Sequence, residues 1–118
     1  MSSNELKLKA HLLRRAGFGS TRSELEALSD KSYEEIVEDL LFPERFPDLD
    51  EDYVDRYNPD SSYRDNHPPN SGKWVWRMIN TKRPLEEKMT LFWHHVFATA
   101  WYKGEHTPSQ LAQLDAFR

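Results

Sequence analysis

PLEEKMTLFWHHVFATA, from Pro84 to Ala100, is the stretch whose reading decides the fold. At roughly 100° of rotation per residue, Leu85, Met89, Phe92, Trp93, Val96, Phe97 and Ala100 share one broad face. The spacing predicts an amphipathic helix with that face buried. Pro84 suits the first helical position, whose amide lacks an intrahelical partner in any case, and Glu86 and Glu87 place negative charge in the first turn, where the macrodipole favours it. His94 and His95 flank the apolar arc on opposite sides. Leu91 lies on the back face between them, which predicts a central helix covered on both sides.

Upstream, Asn4 to Ala16 reads as a first helix, with Leu6, Ala10 and Leu13 on one face and Gly17 where a C′ glycine stops it; Phe18 is expected to pack back. Thr21-Arg22-Ser23-Glu24 and Ser32-Tyr33-Glu34-Glu35 both have the capping-box spacing, in which a hydroxyl accepts the N3 amide while the N3 carboxylate reaches back to the cap N–H. Leu25 and Leu28 follow the first box. Tyr33, Ile36, Val37, Leu40 and Leu41 follow the second, until Phe42-Pro43 ends the period. From residue 43 to residue 73 the pattern vanishes into five prolines, eight acidic residues and three arginines, so a long acidic loop is expected there, docked in part by Tyr53, Tyr57 and Tyr63, with at most a single turn around Val54 and Tyr57. Order resumes at Lys73, where Trp74, Val75, Met78 and Ile79 have helical spacing and form a hairpin with the Pro84 helix. Thr107-Pro108-Ser109-Gln110 reads as a third capping box, opening a helix with Leu111, Leu114 and Phe117. That helix carries no stop signal, from which we expect 1–118 to be either a single helical domain or the N-terminal fragment of a larger one. The fold class expected is all-α: an irregular bundle of about five to six short helices with a long acidic loop at 43–73.

Composition narrows the function classes. The 118 residues (14.0 kDa) are 37 % hydrophobic and 31 % charged, with a mean hydropathy of −0.87, so burial must come from few, large side chains. Nine of the fifteen aromatics, including all four tryptophans, lie from Tyr63 onward, and the second half is expected to be the better packed one. A net charge of −4 without a basic patch argues against a nucleic-acid partner. No apolar run is long enough for a membrane span, and the N-terminus lacks an apolar signal region, which points to the cytoplasm. Zero cysteines exclude disulfides, thiolate catalysis and cysteine-type zinc sites.

Histidines are therefore the candidates for chemistry at neutral pH: His11, His67, His94, His95 and His106. Helical metal ligands need i, i+3 or i, i+4 spacing so that their nitrogens converge, whereas neighbours diverge by roughly 100°. His94 and His95 thus do not share an ion, and no metal site is assigned. Two readings of His94 stand side by side: a hydrogen-bonded interhelical histidine, or a general base or ligand whose acid partner comes from another element, since Glu87 lies two turns away. His11 reads as the polar member of its helix, His67 and His106 as loop residues. The acidic run Asp48, Asp50, Glu51, Asp52 lacks the mid-loop glycine and closing glutamate of an EF-hand and reads as solvated charge.

Two words of this sequence, HLLRRAGFG (His11–Gly19) and EKMTLFWHHVFAT (Glu87–Thr99), resemble the bacterial family called domain of unknown function 1800. Members resemble one another in a W-H-x-H-F word. Here Trp93, His94 and Phe97 match it, Val96 stands where the second histidine usually lies, and His95 occupies the variable position. The resemblance implies a chain several-fold longer than this one, often exported, with no established activity. Three functions follow as expectations: a helical module that packs against a C-terminal remainder or a protein partner; a histidine-dependent, metal-assisted hydrolase-like enzyme using His94; or a protein-binding module acting through the acidic, Tyr-rich loop. No cofactor is assigned.

Overall fold

The computed structural model describes residues 3–57, 67–97, 104 and 106–118, with backbone only at 51, 54 and 67–70. Expectations for Tyr63, the ring of His67, and the 98–100 end of the central stretch fall outside the described residues. Among those residues the fold is helical throughout, without a strand.

Local signals build the N-terminal half. Helix α1 spans Ser3–Ala16, α2 Arg22–Ala27 and α3 Tyr33–Leu41. Both capping boxes form as expected: the Thr21 and Ser32 hydroxyls accept the Glu24 and Glu35 amides, and each glutamate accepts its cap's backbone N–H at 2.6 Å. Those backbone amides, followed by the cap hydroxyls, hold both carboxyls below the ordinary glutamate value. Two glycines end α1 in different ways. Gly19, at φ +99°, is the left-handed residue and donates its N–H to Leu13 O at 3.2 Å. Gly17 instead permits close approach, since a Cβ there would lie 2.9 Å from the Pro84 Cβ. Phe18 does not pack inward; it stays exposed beneath the Lys88 ammonium, 5.2 Å from its ring centroid.

Leu25, Ile36 and Leu40 form the apolar core of this half, and Lys9 of α1 is buried beside them. Its ammonium donates to the carbonyl oxygens of Leu28, Ser29 and Lys31, which lie past the end of α2. One cation therefore serves as the C-cap that no glycine supplies there.

The described parts of the stretch expected to be a long loop include helix. A 3₁₀ turn covers Pro43–Arg45, helix α4 covers Glu51–Tyr57, and α5 begins at His67, six residues before the expected start. Asp52 places negative charge in the first turn, Tyr53 and Tyr57 meet one turn apart as a tilted ring pair with centroids 5.1 Å apart, and Lys73 of α5 grips Asp55 of α4 at 3.0 Å. The described helices number seven, α4 being the one that the prolines and acidic residues of 43–73 conceal in the sequence.

Helix α5 runs His67–Asn80, α6 Pro84–Val96 and α7 Thr107–Phe117. Helix α6 packs against α1, α3, α5 and α7 and is the centre of the fold, as its pattern suggests. The side it presents to them is not the expected one. Glu87 and Thr90 are fully buried and Arg83 and His94 half-buried, whereas Met89, Phe92, Trp93, Val96 and Phe97 are exposed, Phe92 by 52 %. Helix α5 repeats the inversion: Arg77 faces inward while Val75 and Ile79 face out, Ile79 by 76 %. Helix α7 starts at Thr107 with His106 at the N-cap and no side-chain capping bond, so the third capping box does not form; the His106 ring meets the Ser109 hydroxyl instead. Among the described residues the second half is thus the less apolar inside, contrary to the expectation from its aromatic content. A radius of gyration of 16.5 Å also exceeds the value of about 13.5 Å expected for a compact chain of this length.

Candidate functional site

Charge occupies the interior where α5, α6 and α7 meet. The Glu87 carboxylate, 1 % exposed, accepts three hydrogen bonds from α5 and from the residue that caps α7: Arg77 Nε at 2.9 Å and Arg118 Nε at 3.0 Å on Oε1, and Trp74 Nε1 at 3.1 Å on Oε2. Helical spacing explains the donors, because Trp74 and Arg77 are three residues apart on one face of α5. Arg77 Nη2 continues to Asp48 Oδ1 at 3.1 Å, and Arg118 Nη1 pairs with Asp115. Beside them Arg83 donates twice to Phe46 O, at 2.9 and 2.7 Å. Thr90, the other buried residue of α6, satisfies its hydroxyl by donating to Glu86 O at 2.9 Å.

Two neighbouring carboxyls shift in opposite directions. Burial pushes Asp48 up, but the Leu49 amide, Arg77 and Arg83 together outweigh it and hold the group below its ordinary value. Glu86 is raised, first by burial, with Arg83 opposing and the charges of Asp48 and Glu87 adding to the rise.

His94 lies next to this cluster without joining it. Its ring stands edge-on to Trp74, with centroids 5.1 Å apart at 88°, and its buried Nδ1 has no hydrogen-bond partner among the described residues. The expected bonded interhelical histidine is therefore interhelical through a ring contact, and the Glu87 carboxylate already serves Trp74 and two arginines. His11 and His95 are exposed. Among the described residues, no three or more His, Asp or Glu side chains form a group able to hold a metal ion. What sequence reading missed is the Glu87 cluster itself. Trp74, Arg77 and Glu87 all lie on recognised helices, but the signal for their pairing, an acid facing an Arg at helical register across a hairpin, is visible only once α6 is turned polar side inward.

On the opposite side of α6, Trp93 lies between Phe92, edge-on at 5.1 Å, and Phe97, stacked at 5.7 Å; Phe97 in turn stacks on Phe117 of α7 at 6.0 Å. Together with Met89, Val96 and Leu111 these rings make an outward apolar surface across α6 and α7. Monomeric surfaces rarely leave so many large apolar groups contiguous. No described helix is long and apolar enough to cross a membrane.

No curated protein and no solved structure matches this sequence. The family described as Protein of unknown function (DUF1800) does match, over residues 11–118, a span that takes in the HLLRRAGFG word, the Glu87 cluster, His94 and α7. The chain belongs to that family.

Proposed function

We propose that this chain works by packing and not by catalysis: it is a helical module whose outward apolar faces on α5, α6 and α7 seat against further protein. The observation that carries the reading is the inversion of α6, with Glu87 and Thr90 buried and Met89, Phe92, Trp93, Val96 and Phe97 exposed. A helix with charge inside and aromatics outside pays for both arrangements in water, and covering the outer face with apolar protein removes one of the two costs, at about 25 cal/mol for each Å². The set of residues on that face, Met89, Phe92, Trp93 and Val96, spaced i, i+3, i+4 and i+7, is what a neighbouring helix packs against. Reading His94 as a catalytic base draws no comparable support, because no acid partner for it lies among the described residues.

Purified residues 1–118 test the proposal. The expected result is a helical circular-dichroism spectrum, a broad thermal transition of low cooperativity, and strong binding of an apolar fluorescent dye. A sharp two-state transition of a monomer that binds no dye would overturn it.

A further inference from the structure

We draw no further inference here: the strongest candidate, the outward apolar face of α6 and α7 around Phe92, Trp93 and Val96, belongs to the surface already described, and nothing in the structure shows which particular partner covers it.

Discussion

Helices α1 to α3 and helices α5 to α7 solve the same problem in opposite ways. In the first group the buried apolar residues are Leu25, Ile36 and Leu40, and α2 and α3 each start from their own capping box. In the second group the buried residues among those described are Arg77, Glu87, Thr90 and Thr107, while Val75, Ile79, Met89, Phe92, Trp93, Val96 and Phe97 look outward. Stability in the first group therefore rests on apolar burial and helix caps, with Lys9 the one distant tie, whereas in the second it hangs on a desolvated carboxylate and the donors that surround it. Buried ion pairs of that kind specify an arrangement more than they stabilise it, since desolvation cancels much of the attraction. The difference teaches that an apolar helical face announces a packing partner without saying that the partner lies in the same set of helices.

Five variants sharpen or break the contrast. Glu87→Ala should have the largest effect, about 3 to 5 kcal/mol, because it strands Arg77, Arg118 and the Trp74 N–H without their common acceptor. Urea denaturation measures it, and a loss below about 1 kcal/mol would show that the cluster is not what holds α5 and α7 to α6. Ile36→Ala should cost about 2 to 4 kcal/mol through lost burial and the cavity left behind, and hydrogen exchange should place the weakening in α1 to α3 while leaving α5 and α6 as they were.

Ser32→Ala should cost about 1 kcal/mol as a lost cap. The same box carries a pH signature. Glu35 and Glu24 are held below 4.5 when folded, so their contribution is present above that value and is lost as pH falls through the lowered folded values. Helicity followed from pH 5 downward should therefore decline less steeply in Glu35→Gln, and an unchanged acid profile would remove the box from the account. The smallest change in stability, within about 0.5 kcal/mol, belongs to Phe92→Ser combined with Val96→Ser on the exposed face. Dye binding should nevertheless fall sharply in that variant. A large destabilisation would instead place those side chains in a core and merge the two halves of the comparison.

How much of this was legible in the sequence depends on the range over which each feature is encoded. The capping boxes at Thr21 and Ser32 are written within four residues, and both formed. The helices around Trp74 and Met89 are written in their periodicity, and both exist. The side that α6 buries is not local information: the donors to Glu87 lie 10 residues away at Arg77 and 31 away at Arg118, and only their convergence reverses what the apolar arc from Met89 to Phe97 suggests. Helix α4 was hidden for another reason, since Glu51 to Tyr57 has little apolar period and owes its order to charge at its start, the Tyr53–Tyr57 pair and the Lys73–Asp55 bridge. At the candidate site His94 was found by its residue type, but its neighbour Trp74 and the carboxylate beside it were not, because a tryptophan N–H and an arginine read as ordinary helix residues until they are seen to share one oxygen pair.

Lys9 has a consequence for the order in which this chain comes apart. Its three N–H groups go to the carbonyls of Leu28, Ser29 and Lys31, so the corner between α2 and α3 is tied from outside, by a residue 19 to 22 positions earlier. Fraying at the start of α1 is then not a private event of one terminus. Once the turn of α1 that carries Lys9 lifts away, three backbone oxygens at a distant bend lose their donor together, and the seam between the second and third helices opens with it.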